Sequence, residues 1–182
     1  VECICTREPQ TEPSCIWALY PVFPIWYKAS QVARSHFGVW AKYYRAIDRY
    51  HLEHQPPRQW AMDVRVYYGR PGSGKSRRAF AEAGGDCYPL GHSNGGAWFD
   101  GYAGQHTVVI DDFYGWLPWS FLLQLLDRYP LRVPTKGGHL PFISRVVILT
   151  SNSHPRDWYD STKPHIEYAA LERRITLIEE MN

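Results

Sequence analysis

The chain has 182 residues and a formal net charge of +2, and 45% of its residues are hydrophobic, 21% charged and 15% aromatic. This length suits one average domain, or a small domain with an appendage, and the aromatic content excludes disorder for most of the chain. The longest uncharged apolar stretch, residues 13–27, contains Pro21 and Pro24 and is shorter than the roughly 20 residues of a spanning helix. A membrane-spanning protein is therefore excluded as well.

Residues 1–30 combine aromatic residues with prolines and show neither helical nor strand periodicity, so we expect an irregular leader. Between Ser30 and His54 apolar residues recur at spacings of three and four, which predicts a helix. Pro56-Pro57 follows and ends the pattern. Residues 31–58 are thus predicted to form a helical lead-in, whose apolar face packs either on its own domain or on a neighbouring subunit.

Four cysteines are present in the whole chain. A structural zinc site takes four Cys or His ligands at regular spacings, and Cys3, Cys5, Cys15 and Cys87 provide no such set. Disulfide frameworks are typical of small secreted domains, which have a denser cysteine pattern. We therefore expect reduced thiols that bind no metal, and an intracellular protein without a membrane partner.

Residues 59–182 alternate short apolar runs with helical patterns, which is typical of a mainly parallel sheet between helix layers. The expected fold class is therefore α/β. Two further runs, residues 131–133 and 140–142, flank a glycine-containing turn and predict a hairpin. The predicted strands cover residues 64–68, 107–110, 145–150 and 175–178, and the predicted helices cover residues 75–83, 116–128 and 164–174.

A phosphate-binding loop of the form GxxxxGK[ST] stands between the first predicted strand and helix. Glycines let backbone N–H groups form a concave anion site, and the following helix points its positive end at the phosphates. In such loops the lysine reaches the β- and γ-phosphates, and the serine hydroxyl binds Mg²⁺. The run therefore predicts a binding site for ATP and Mg²⁺ rather than a solvated turn. It consists of Gly69, Arg70, Pro71, Gly72, Ser73, Gly74, Lys75 and Ser76.

Polar side chains follow two more of the predicted strands. Asp111 and Asp112 fit a Walker B site, where the first acid holds the Mg²⁺ shell and the second orients or deprotonates the attacking water. Asn152 could contact the γ-phosphate and that water as a sensor. Acids at strand ends are also common turn residues, and asparagine is a common cap. Combined with the phosphate loop, the three residues favour the catalytic interpretation.

These motifs resemble the superfamily 3 helicase domain of the replication-associated proteins of circoviruses and related small circular single-stranded DNA viruses. The resemblance extends from about Val64 to Ile178. It implies an AAA+-like P-loop NTPase that hydrolyses ATP with Mg²⁺ as a homo-oligomer, expected to be a hexameric ring, and moves along single-stranded DNA. For a viral protein it also implies the host nucleus. The matching runs are residues 98–102, 108–119, 127–130, 135–138, 150–152 and 173–176.

The resemblance also assigns roles to two groups outside the nucleotide motifs. Lys136, with Gly137 and Gly138, matches a hairpin directed into the ring channel to bind DNA, although a lysine there could merely keep the tip soluble. Arg173 or Arg174 matches the arginine finger that completes a neighbouring subunit's site. Adjacent arginines at a helix end are otherwise ordinary charges that interact with the helix dipole, so both interpretations stay open.

The nicking endonuclease of the full viral protein requires a pair of histidines around an apolar residue and a Tyr-x-x-Lys motif, and neither occurs in this sequence. We therefore expect no cutting or joining of DNA by this chain. One rival function is a P-loop kinase, which is disfavoured because paired acids and a sensor amide are suited to activating water. The other rival is a truncated or host-integrated remnant that binds DNA or other copies of the replication protein.

Overall fold

The computed structural model describes residues 33–92 and 96–182, and two compact units divide the chain after His54. The leader predicted for residues 1–30 lies outside the described residues, as do three of the four cysteines. In the first unit, helix α1 (Phe37–Glu53) lies within the predicted lead-in. It ends before Pro56, since proline cannot continue a helix.

The second unit contains a five-stranded sheet and a separate hairpin. The sheet strands are β1 (Asp63–Gly69), β2 (Cys87–Pro89), β3 (Thr107–Ile110), β6 (Val146–Ser151) and β7 (Leu177–Met181), and the hairpin strands are β4 (Arg132–Thr135) and β5 (Gly138–Pro141). The sheet order is β2-β3-β6-β1-β7, with all neighbours parallel. Its described helices are α2 (Lys75–Ala83), α3 (Trp119–Leu125) and α4 (Tyr168–Glu172), with a 3₁₀ helix at Pro155–Asp157. The predicted α/β class and mainly parallel sheet are confirmed.

The sheet is buried on both faces. All four residues of β3 are buried, and their side chains alternate between two apolar clusters. Val108 and Ile110 belong to the larger cluster, whereas Val109 packs with Ala79 of α2 and Tyr67 in the smaller one. Burial on both faces explains why this strand is continuously apolar instead of alternating.

Two predicted helices are shorter than their sequence patterns indicated. Over residues 116–128 the helix begins only at Trp119, because Pro118 at its N-cap has an extended backbone with ψ of 135°. Over residues 164–174 the helix begins only at Tyr168, because Glu167 before it is extended, with φ of −119° and ψ of 110°. Both predictions overestimated the helix because side-chain periodicity does not report these backbone angles.

The strand assignments near the sheet edges also differ from prediction. The last strand begins at Leu177 rather than at residue 175, because Thr176 turns its hydroxyl toward β1 and accepts a hydrogen bond from Val64 N at 3.1 Å. Strand β2 was not predicted. It has three residues and pairs with β3 alone, and such a short edge strand leaves little pattern in the sequence.

Arg58, which sequence reasoning did not single out, caps the carbonyl end of helix α3 with its side chain. Its side chain is buried and donates hydrogen bonds of 2.8 Å to the carbonyl oxygens of Gln124, Leu125 and Tyr129. Burial lowers the pKa of this guanidinium to about 10, so it remains charged at neutral pH. A cation at the carbonyl end of a helix is favourable, and this one connects the start of the unit to α3.

The described residues contain no helix that is long and apolar enough to cross a membrane. Cys87, the cysteine that the structure does describe, is a half-buried free thiol. Burial raises the pKa of this thiol, which keeps it protonated and unreactive.

Candidate nucleotide-hydrolysis site

The predicted nucleotide motifs meet at the carboxyl ends of neighbouring strands in the sheet. Strands β1, β6 and β3 are parallel neighbours, and their ends are in register, with Tyr68 beside Ser151 and Ile110 beside Leu149. The segments that leave these strands therefore emerge together at their carboxyl ends, where open α/β sheets bind ligands. The phosphate loop follows β1, the two aspartates follow β3, and Asn152 follows β6.

Two glycines give the phosphate loop its shape. At Gly69, with φ of 141°, a Cβ atom would lie 2.0 Å from the carbonyl oxygen of Met181 on β7, so no other residue fits between β1 and β7. Gly74 is the left-handed N-cap of α2, with φ of 90°, a conformation that glycine adopts without cost. The loop can therefore turn sharply and present the first N–H groups of α2.

The interior of the loop holds polar groups suited to phosphate. Lys75 is buried, and its Nζ donates hydrogen bonds to the carbonyl oxygens of Gly69 at 3.0 Å and Arg70 at 2.8 Å. Ser73 Oγ is buried and has no hydrogen-bond partner among the described residues. Buried hydroxyls are normally satisfied, so a donor and a cation stand ready here for an anionic ligand. By contrast, Arg70, Pro71 and Ser76 are exposed.

The two aspartates predicted to form a Walker B site are joined by a residue that sequence reasoning missed. The buried Thr150 hydroxyl donates to Asp111 Oδ1 at 2.6 Å and accepts from Asp112 N at 2.9 Å. The Thr150 carbonyl oxygen accepts from Phe113 N at 2.7 Å. Asp112 has φ of 51°, an uncommon value for a residue other than glycine, and these bonds hold it there. The sequence signal that could have identified Thr150 is a polar residue within the largely apolar strand β6.

Asn152 contacts the second aspartate directly. Its Nδ2 donates a 3.0 Å hydrogen bond to Asp112 Oδ1. Both side chains are exposed at the carboxyl ends of their strands. Asp111 presents a carboxylate and Ser76 a hydroxyl, and hard oxygen ligands of this kind are those that Mg²⁺ prefers. The donor set therefore fits a nucleotide with its magnesium ion.

The two arginines lie apart from this site. The register of β1 and β7 runs from Arg65 beside Leu177 to Gly69 beside Met181, so Arg173 and Arg174 stand at the end of the sheet opposite the phosphate loop. At about 3.3 Å per residue, this stretch of strand separates the two ends by about 13 Å.

The two arginine side chains also differ from each other. Arg173 is exposed. Arg174 has a side chain only 14% exposed, and its Nη2 pairs with Asp127 Oδ2 at 2.6 Å. Arg174 is therefore already bound within its own chain, whereas Arg173 is presented to solvent.

The predicted DNA-binding residues form the tip of the β4–β5 hairpin. Thr135 pairs with Gly138, so Lys136 and Gly137 make a two-residue turn. Gly137 has φ of 101°, which favours glycine at this position of the turn. The Lys136 side chain is 82% exposed, and a cation in this setting is accessible to a phosphate backbone.

Comparison with known proteins identifies similar sequences over the region of these motifs. A family model described as RNA helicase matches residues 65–153. The replication-associated protein of goose circovirus is 46% identical over 147 residues, which cover 80% of this chain and 48% of the relative. The chain is similar to the helicase domain of circovirus replication-associated proteins. The porcine circovirus 1 relative is 52% identical over 125 residues, covering 67% of this chain and 38% of the relative.

A third similar protein, the replication-associated protein of beak and feather disease virus, is 41% identical over 152 residues, which cover 83% of this chain and 50% of the relative. The chain thus spans half or less of the length of the relatives that it matches. The helicase model includes the phosphate loop, the two aspartates, Asn152 and the hairpin, and it ends before the paired arginines.

Proposed function

We propose that this chain is an ATP-dependent motor of the superfamily 3 type, which hydrolyses ATP to move along single-stranded DNA during viral genome replication in the host nucleus. One observation carries the proposal: the hydrogen bond from Asn152 to Asp112, placed beside a complete phosphate loop. A carboxylate held by an amide at this site is suited to positioning a water molecule for attack on a terminal phosphate.

Each side chain then has a defined task. Lys75, now bound to two carbonyl oxygens of the loop, would direct its ammonium group to the β- and γ-phosphates. Ser76 and Asp111 would hold Mg²⁺, which when bound neutralises charge on the phosphates. Asp112 would orient the attacking water or accept its proton, while Asn152 fixes the Asp112 carboxylate.

The position of the arginines supports the proposal that a second subunit completes the site. Because Arg173 lies at the opposite end of the sheet from its own phosphate loop, it cannot serve that loop and would instead reach the nucleotide of a neighbour. Arg174 holds the end of α4 through Asp127. We therefore assign the finger to Arg173 and expect a ring, with six subunits as the expected number.

The kinase alternative differs in what accepts the phosphate. The Asp112 carboxylate and the Asn152 amide bound to it are suited to activating water as the phosphate acceptor. Turnover should therefore proceed without any added hydroxyl substrate. Purified wild-type chain is incubated with Mg²⁺-ATP, with and without single-stranded DNA, and phosphate release is measured. We expect turnover in both cases and a higher rate with DNA.

Lys75→Ala is the informative variant, because removing a cation placed at the phosphates should lower turnover by about 10²–10³-fold. Lys163→Ala, which removes an exposed lysine from a loop, is the matched control and should retain activity. Activity of Lys75→Ala close to wild type would contradict the site. A wild-type chain that binds ATP and DNA without turnover would instead support the binding-module interpretation. No DNA cleavage is expected in any sample.

A further inference from the structure

The tip of the β4–β5 hairpin is bound by a carboxylate from a different segment. Asp100 Oδ1 accepts a 2.7 Å hydrogen bond from the backbone N–H of Lys136, and Asp100 Oδ2 lies 3.5 Å from the Lys136 Nζ. Both oxygens of one side chain therefore engage one residue, at its backbone and at its charged end.

Asp100 is itself held in place by the core. Its carbonyl oxygen accepts a 3.0 Å hydrogen bond from the Tyr88 hydroxyl. The preceding residue, Phe99, is fully buried, stacks on Tyr88 with ring centroids 5.9 Å apart, and donates its N–H to the carbonyl oxygen of Pro134 at 2.9 Å. The carboxylate is thus presented to the hairpin by a rigid segment.

The two contacts differ in strength. A backbone N–H that donates to a carboxylate forms a short, charge-assisted hydrogen bond, so the contact with the Lys136 N–H defines the turn. The ion pair joins a lysine side chain that is 82% exposed to a carboxylate that is 38% exposed, and pairs in such solvated positions are weak and screened by salt. A DNA phosphate can therefore replace the Asp100 carboxylate as the partner of the Lys136 ammonium group. The hydrogen bond between Asp100 and the Lys136 backbone N–H then remains intact.

From this arrangement we infer that Asp100 has two roles toward single-stranded DNA: it positions the hairpin tip, and it competes with the DNA phosphate for the Lys136 ammonium group. The inference rests on the proposed function, in which Lys136 binds the DNA backbone. Each time the hairpin releases a phosphate, the carboxylate is present to take the ammonium group back. Release of DNA is thereby made easier, which a motor needs if it is to advance by repeated binding and release.

The test measures binding of a fluorescently labelled oligo(dT) strand by anisotropy over a range of salt concentrations, with a non-hydrolysable ATP analogue present. Asp100→Asn keeps an oxygen for the Lys136 N–H but removes the competing charge, so it should bind about 2- to 5-fold more tightly at low salt. The gain should shrink as salt rises. In the double variant with Lys136→Ala the gain should vanish.

Asp86→Asn is the matched control. Asp86 is an exposed carboxylate that accepts a backbone N–H, from His106 at 3.1 Å, so the substitution makes the same chemical change away from Lys136. It should leave the affinity at the wild-type value. An equal gain in Asp86→Asn would show a general effect of net charge and overturn the competition.

The positioning role has its own readout, which does not depend on activity. Hydrogen exchange of the hairpin peptide, residues 132–141, should become faster in Asp100→Ala and remain as in wild type in Asp100→Asn. Equal exchange in all three proteins would overturn positioning. If Lys136→Ala weakens DNA binding while Asp100→Asn binds like wild type, the competition fails and the DNA-binding hairpin stands. If Lys136→Ala binds DNA like wild type, the hairpin's proposed function fails instead.

Discussion

The Nδ2 atom of Asn152 lies 3.0 Å from Oδ1 of Asp112 and donates a hydrogen bond to it. The two residues are far apart in sequence, at the ends of the neighbouring strands β6 and β3. Because Asp112 also has a left-handed backbone with φ of 51°, its carboxylate direction depends on contacts made by β6. The proposed sensor and the proposed catalytic acid are thus joined by a direct hydrogen bond.

Asn152→Ala removes the donor that holds the Asp112 carboxylate. We expect ATP hydrolysis to fall by about 10²–10³-fold, the loss typical of deleting one preorganised polar group. Binding of a fluorescent ATP analogue should change little, because Asn152 contacts the acid and not the phosphate loop. Stopped-flow binding together with steady-state turnover separates the two effects. A variant that loses binding and turnover in equal proportion would contradict the assignment.

Thr150→Val tests the bridge between the aspartates. Valine has nearly the same shape as threonine, but it leaves Asp112 N without an acceptor and Asp111 without a donor. A buried hydrogen-bonding group left unsatisfied costs about 1–3 kcal/mol, so we expect a lower melting temperature and a lower kcat. Thr150→Ser keeps the hydroxyl and should restore kcat. A Thr150→Val variant that keeps the wild-type kcat and melting temperature would contradict the bridge.

Mixing two inactive chains tests the finger in trans. Arg173→Ala and Lys75→Ala should each hydrolyse ATP poorly, since an arginine finger contributes about 10³–10⁵-fold in rate in nucleotide hydrolases. Mixed rings place an intact loop against an intact finger at some interfaces, so ATPase activity should partly recover. Wild-type specific activity should also rise with protein concentration. No recovery under conditions where mixed oligomers are seen by mass photometry would contradict the finger.

The second arginine should behave differently. Arg174→Ala breaks the pair with Asp127, whose two partners are mostly buried, at 14% and 25% side-chain exposure. Loss of a hydrogen bond to a charged group typically costs about 1.5–3 kcal/mol, so the melting temperature should fall. Arg173→Ala, at an exposed position, should melt close to wild type. Equal melting temperatures for the two variants would contradict the division of roles.

Stability should depend on pH through Glu82, which clamps α2 to the sheet. Burial raises the pKa of this carboxyl, but hydrogen bonds from Tyr67, Arg78 and Arg65 outweigh it and bring the pKa below its ordinary value of 4.5. A carboxyl whose pKa is lower in the folded protein contributes stability above its ordinary pKa, and this is lost as pH falls through the folded pKa. We therefore expect the free energy of unfolding to decrease as the pH falls below 4.5.

Glu82→Gln should make that decrease less steep, as measured by urea unfolding at several pH values. Part of the slope should remain, because hydrogen bonds from Arg128 N and Arg174 outweigh the effect of burial and lower the pKa of Asp127 as well. Glu167→Gln, at an exposed position, controls for the loss of one charge. A slope for Glu82→Gln identical to that of wild type would contradict the clamp.

The local sequence determined the elements that carry the nucleotide motifs. The phosphate loop, its flanking strand and helix, strand β3 and the hairpin all lie where their patterns predicted them, because turn chemistry and apolar runs act over a few residues. The conspicuous motif residues Lys75, Asp111, Asp112 and Asn152 could therefore be proposed before the fold was known. Their roles in hydrolysis remain predictions.

Only the tertiary structure decided which side chains meet. That Thr150 joins both aspartates follows from the parallel pairing of β3 with β6, a contact between segments whose separation in sequence carries no periodic signal. The pair with Asp127 likewise distinguishes the mostly buried Arg174 from the exposed Arg173, although two adjacent arginines are equivalent in the sequence. Asp100 reaches Lys136 only because the core holds Phe99 beside the hairpin. Contacts of this kind depend on packing between distant segments, and a local pattern does not encode them.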